Sequence, residues 1–113
     1  MECPLPAGTI RQLQVAAGRS RTELCGLVDS TNNVHFVSNA SATPDRSFVL
    51  DKREYFTLLK SLGKSGVSVA CIFHSHPGGD PDPSDADLQA VQRTGFPALI
   101  ITTNSYRWLP YGD

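Results

Sequence analysis

Val67-Ser68-Val69-Ala70-Cys71-Ile72-Phe73 is the most hydrophobic stretch of the chain, and it runs directly into His74-Ser75-His76-Pro77-Gly78-Gly79-Asp80-Pro81-Asp82-Pro83-Ser84-Asp85-Ala86-Asp87. A short apolar run of this kind predicts a central strand buried on both faces of a sheet. The polar motif begins where that strand ends. Pro77, Pro81 and Pro83 with Gly78 and Gly79 make a defined loop, and Ser84 then opens a helix to about Thr94.

Working outward, Asp51–Lys64 is the clearest helix. Asp51 can cap it and Glu54, three residues on, completes a capping-box pattern. Tyr55, Phe56, Leu58, Leu59 and Leu62 form its apolar face, and Gly63 and Gly66 end it. Upstream, Pro6–Ala17 predicts a helix closed by Gly18. Glu23–Asp29 and Val34–Val37 predict an antiparallel hairpin about the turn Ser30-Thr31-Asn32-Asn33. Asn39–Asp45 is a polar loop, and Phe48-Val49-Leu50 adds a short strand. Downstream, Pro97–Thr102 is a buried strand that returns through Asn104-Ser105 into Tyr106-Arg107-Trp108-Leu109. Alternating helices and strands predict an α/β domain: a mostly antiparallel central sheet flanked by helices.

The chain has 113 residues and is expected to form a single domain over 1–113. Hydrophobic residues make up 40% and charged residues 19%, and the net charge is −1, which provides no basic footprint for nucleic acid. No apolar run is long enough for a membrane span and no signal-peptide pattern opens the chain. The three cysteines, Cys3, Cys25 and Cys71, are odd in number and lack CxxC spacing. A reducing, cytoplasmic setting is therefore expected. Cys25 and Cys71 fall in apolar strands and are read as buried, unreactive thiols.

Side chains two apart on a strand share a side, so His74 and His76 present two imidazoles together at a strand end. Asp87, near the first turn of the following helix, can supply a carboxylate. Two histidines and one carboxylate leave a position open, which is the arrangement of a catalytic rather than a structural zinc. A base is still required. Glu23 is the best candidate by residue type, and the Ser84 hydroxyl could donate to an oxyanion. Plainer readings stand beside these. Ser84-Asp85-Ala86-Asp87 is also a capping box, so Asp87 could simply cap a helix. Glu23 could be any surface carboxylate. Ser75 faces away from both histidines and is read as structural, and His35 as a half-exposed pairing residue. Asp80, Asp82 and Asp85 are read as solvated.

The motif His74-Ser75-His76-Pro77, six residues, Ser84, two residues, Asp87 resembles the complete signature of the JAMM metalloproteases, the JAB/MPN family. Glu23-Leu24-Cys25-Gly26-Leu27 is similar to that family's Glu-x-Cys-Gly strand. Asn39, Pro44 and Phe48–Asp51 resemble the segment before its second helix. The resemblance implies a JAB/MPN-like, cytidine-deaminase-like fold. It implies one Zn²⁺ per chain held by His74, His76 and Asp87, with Glu23 as general base and acid and Ser84 as oxyanion stabiliser. It also implies hydrolysis of a peptide or isopeptide bond after the C-terminal tail of a ubiquitin-like, β-grasp protein. The chain has no room for the insertions of the eukaryotic deubiquitinases, which points to a compact bacterial or phage member. Asp87–Pro97 is similar to the JAMM domain of phage tail-tip assembly proteins, which would place the chain in host cytoplasm. Processing of a sulfur-carrier protein is a further possibility that the resemblance opens.

A non-catalytic scaffold of the same family is the main rival, but such members typically lack metal ligands and this sequence retains the whole set. A zinc deaminase requires a His-x-Glu and a later Pro-Cys-x-x-Cys, and neither occurs.

Overall fold

The computed structural model describes residues 3–111. Helix α1 (Ala7–Gly18) leads to strands β1 (Cys25–Asp29) and β2 (Val34–Val37). Then follow helix α2 (Lys52–Lys64), strand β3 (Val69–Ser75), helix α3 (Asp85–Thr94), and strands β4 (Ala98–Ile101) and β5 (Tyr106–Leu109). The strands form one sheet in the order β2-β1-β3-β4-β5. Every neighbouring pair is antiparallel except β3 and β4, which run parallel and are joined by α3. A parallel pair needs a crossover, and α3 supplies it. The expected α/β fold with a mostly antiparallel sheet is therefore what the chain adopts. Among the described residues, no helix is long and apolar enough to cross a membrane.

Strand parity divides the core into two layers. Val28, Cys71, Phe73, Leu99 and Ile101 pack on α1 through Ile10, Leu13 and Ala17. Leu27 and Ile72 pack on the opposite face, against Leu62 of α2 and its partly buried neighbours Leu58 and Leu59. His74 continues the row of Ile72 on β3, so an imidazole stands where the aliphatic pattern would place another hydrophobe. Gly26 makes the centre of the sheet possible. A Cβ there would lie 2.0 Å from the His35 carbonyl oxygen and 2.9 Å from the Phe73 ring. Phe73 fills the space instead, edge-on to Phe36.

Several boundaries differ from expectation, each for a local reason. Gly18 lies inside α1; the helix tightens at its end, where the Arg19 N–H donates to the Ala16 carbonyl and the Ser20 N–H to the Ala17 carbonyl. A left-handed glycine cap is used at Gly95 instead, at φ 74°. The hairpin strand starts at Cys25 and not at Glu23, because the Glu23 N–H donates to the Pro44 carbonyl. Phe48-Val49-Leu50 contributes only the bridge between Leu50 and Asn39. Asp51 caps α2 by accepting from the Glu54 N–H, but the expected box is half formed. Glu54 turns away to accept from Ser38 N, and so ties α2 to the end of β2. Finally, β3 runs past Phe73 to include His74 and Ser75. The Ser75 N–H donates to Leu24 O at 2.9 Å, which extends the ladder.

Candidate metal and catalytic centre

The site forms where β1, β3 and α3 converge. Glu23 precedes β1 and is clamped through its backbone. Its N–H donates to Pro44 O at 2.6 Å, and its carbonyl accepts from Asn39 Nδ2 at 2.9 Å. One residue on, Leu24 N donates to Ser75 Oγ at 2.8 Å. Ser75 thus has the structural role expected of it, and it pins the peptide beside Glu23. Glu23 is 4% exposed, and its Oε1 has no hydrogen-bond partner among the described residues. Burial pushes its pKa up to about 7; the nearby His76 opposes this and the Asp87 charge adds to it.

His74 is buried and its ring stacks on Phe48, with centroids 4.3 Å apart. Its Nε2 lies 3.1 Å from His76 Nε2 and 3.1 Å from Asp87 Oδ1. Its Nδ1 has no partner among the described residues. Burial lowers the His74 pKa against the pull of Asp87. His76 is half-buried. Its Nδ1 donates to the Asp80 carbonyl at 2.8 Å, which directs the Nε2 lone pair into the site, 3.1 Å from Asp87 Oδ2. The Asp87 carboxylate, which accepts from Nε2 once the ring is protonated, raises the His76 pKa, and burial opposes it.

Asp87 is buried at the third position of α3, and the two readings of it turn out to be compatible. Its Oδ2 accepts from the Ser84 N–H at 2.9 Å, and its own N–H donates to Ser84 Oγ at 3.1 Å, which completes the capping box. The same carboxylate faces both imidazoles. Burial pushes its pKa up, but hydrogen bonds from His74 and His76 outweigh this and hold it well below the carboxylate range. Ser84 is exposed at the cleft. The cap uses a lone pair of its Oγ and leaves the hydroxyl proton free to donate.

These atoms suit a divalent metal. Ligand bonds of about 2.0–2.2 Å in a tetrahedron place donor atoms roughly 3.3–3.6 Å apart. The Nε2 of His74, the Nε2 of His76 and the Asp87 carboxylate oxygens are each 3.1 Å from a neighbour. Ligand-type atoms of Glu23, His74 and His76 also lie within 4.8 Å of one another. Glu23, His76, Ser84 and Asp87 open onto a cleft of about 420 Å³. All five residues singled out in the sequence are therefore brought together.

Other residues fall as their surroundings dictate. Cys25 and Cys71 are buried, and burial foremost pushes both thiols up to about 12, which leaves no thiolate at neutral pH. Trp108 packs partly buried against the α1 core. Asp82, expected to be solvated, is exposed but accepts from Arg107 Nη2 at 2.6 Å. Sequence reasoning found no role for the Asp80 carbonyl, because a backbone acceptor has no residue signature. The Phe48 stack and the Asn39 and Pro44 clamp were visible only as parts of a familiar segment.

Comparison with known proteins agrees with this architecture. The family of prokaryotic homologs of the JAB domain matches residues 9–111. The chain is 32% identical over 93 residues to a desampylase of Haloferax volcanii, covering 77% of this chain and 67% of that one. It is 32% identical over 77 residues to a probable TtuB-protein conjugate cleaving protease of Thermus thermophilus, covering 66% of this chain and 51% of that one. A Listeria monocytogenes protein of the UPF0758 group is 35% identical over 77 residues, covering 68% of this chain and only 33% of its own length. Among solved structures, a Desulfitobacterium hafniense protein superposes with a TM-score of 0.67 at 25% identity, over 92% of this chain and 79% of that one. A Salinibacter ruber protein shares the fold alone, with a TM-score of 0.56 at 19% identity over 93% of this chain and 77% of that one. With a family match across nearly all of its described residues and a site assembled from the motif that marks the family, this chain belongs to the prokaryotic homologs of the JAB domain.

Proposed function

We propose that this chain is a zinc-dependent peptidase or isopeptidase that cleaves after the C-terminal tail of a ubiquitin-like, β-grasp protein. The observation that carries the reading is Glu23: a buried carboxylate with an unpartnered oxygen, set beside the imidazole nitrogens of His74 and His76. His74, His76 and Asp87 would hold the metal. A bound Zn²⁺ supplies Lewis acidity, polarising the scissile carbonyl and acidifying water.

The chain's own residues do the rest. Glu23, buried and raised to about 7, is poised to exchange a proton near neutrality. It accepts a proton from the attacking water and returns it to the leaving amine. The Ser84 hydroxyl donates to the oxygen on which negative charge develops. His76 is held in one tautomer by Asp80, so its Nε2 stays available. Relatives named for removing or cleaving protein conjugates support this reading over the tail-assembly setting suggested by Asp87–Pro97. Retention of every ligand-type residue, with Glu23 and Ser84 beside them, supports an enzyme over a scaffold.

The test is metal content together with cleavage. The purified protein should carry about one zinc per chain, and chelation should abolish cleavage of a ubiquitin-like protein fused through its tail to a reporter. Zinc should restore it. Metal-free protein that still cleaves the fusion would sink the proposal.

A further inference from the structure

Arg107 is exposed on the edge strand β5, yet the register puts it in line with the site. Cys25, His74, Ile100 and Arg107 are successive partners across β1, β3, β4 and β5. Partners in register share one face of a sheet. Arg107 therefore stands on the face that carries His74, two strands away, with Ile100 between them. From there its Nη2 donates to Asp82 Oδ1 at 2.6 Å. The Asp82 N–H donates to Asp80 Oδ1 at 2.9 Å, and the Asp80 carbonyl accepts from His76 Nδ1 at 2.8 Å. A continuous chain of polar contacts thus joins the edge strand to one imidazole of the site.

The loop in this chain needs such an anchor. It contains Gly78 and Gly79, the latter at φ 88°, and its residues from Pro77 to Asp80 are exposed. His74 is held by burial and by its stack on Phe48. His76 is less buried, and the Asp80 carbonyl is the acceptor that holds its ring from the far side. A drifting loop would release His76 while leaving His74 in place.

We infer that Arg107 is a positioning residue for the metal centre. Through Asp82 it fixes the loop whose Asp80 carbonyl holds the His76 ring with Nε2 facing His74 and Asp87. The inference rests on the reading of His76 as a metal ligand, and its test separates the two. Zn²⁺ alone is titrated into the full chain at low salt and near 1 M salt, where the Debye length falls to about 3 Å. In parallel, ¹⁵N NMR of the zinc-free protein follows the His76 ring nitrogens.

Arg107→Gln should weaken Zn²⁺ binding about two- to fivefold at low salt, as suits an exposed ion pair, and the difference from the parent should vanish at high salt. Arg107→Lys should recover part of the loss, and the thermal midpoint should barely move. In Arg107→Gln the His76 proton should spread over both ring nitrogens, while the His74 signals stay put. Equal Zn²⁺ affinity at low salt with an unchanged His76 ring would overturn the inference. If the parent chain binds no zinc, the metal reading fails, and the His76 ring signals alone decide the role of Arg107.

Discussion

A carboxylate stands at each end of strand β1, and the fold treats the two oppositely. Asp29, at the exit, is 2% exposed and fully partnered. Its Oδ1 accepts from the Thr31 N–H at 2.8 Å and the Asn33 N–H at 3.1 Å as well as from the Thr31 hydroxyl, and its Oδ2 meets His35 Nε2 at 2.7 Å. Burial pushes its pKa up, but these bonds outweigh it and bring it down to about 2. Glu23, just before the entrance, is as deeply buried, with one oxygen unpartnered and its pKa raised to about 7. Both have a histidine nearby. By residue type Thr31, Asp29 and His35 even suggest a hydrolytic triad. Their geometry excludes it, because the threonine hydroxyl and the imidazole both point at the aspartate and not at each other. A satisfied anion holds a turn together. An unsatisfied one is free to take up a proton.

The comparison can be broken most sharply at Glu23. Replacing it by Gln keeps the shape and removes the base, so cleavage should fall about 10²–10⁴-fold. Zinc content should stay near that of the parent. Steady-state kinetics paired with metal analysis checks this, and a Glu23→Gln protein of near-normal rate would remove Glu23 from the chemistry.

Ser84 combines the two behaviours in one hydroxyl, since its lone pair caps α3 while its proton is unused. Ser84→Ala should lower kcat about 10²–10³-fold if that proton serves an oxyanion. Loss of the cap should also cost about 1 kcal/mol of stability. Ser84→Gly also lacks the hydroxyl but costs only about a few tenths of a kcal/mol as an N-cap, so it separates the two effects in a combined melting and kinetic assay.

Asp29→Asn should do the reverse of Glu23→Gln. The shift from the ordinary 3.8 to about 2 corresponds to stabilisation on the order of 2 kcal/mol, present above pH 4 or so and lost as pH falls through about 2. The variant should lose stability of that order at pH 7 in denaturant titrations and retain its kcat. A drop in activity without a drop in stability would contradict the division between the two ends.

The smallest effect is a slope. Glu23 is raised above its ordinary 4.5, so the metal-free folded state binds more protons than the unfolded state between about pH 4.5 and 7. Stability from this group is therefore greatest below that window and declines as pH rises through it. Thermal midpoints of the metal-free protein should show the decline, and Glu23→Gln should flatten it.

Much of this was legible in the chain because it depends on local spacing. The apolar run 67–73 announced a central strand, the alternation of His74 and His76 placed both imidazoles on one side, and Ser84 with Asp87 announced a helix start. Boundaries were read less well where long-range bonds set them. Glu23 leaves the strand because Pro44 takes its N–H, and β3 gains two residues because Leu24 lies beside Ser75. Glu54 abandons its cap for Ser38, a partner 16 residues away.

The sequence alone determined which residue types could serve and which elements would carry them, since helix caps, turns and strand parity follow from neighbours in the chain. Only the tertiary structure decided what those residues became. Whether a carboxylate is buried, and whether it finds partners there, depends on segments remote in sequence. Pro44 and Asn39 clamp Glu23 with its side chain unsatisfied, and Asp87 can both cap a helix and face two imidazoles because β3 and α3 meet at one point.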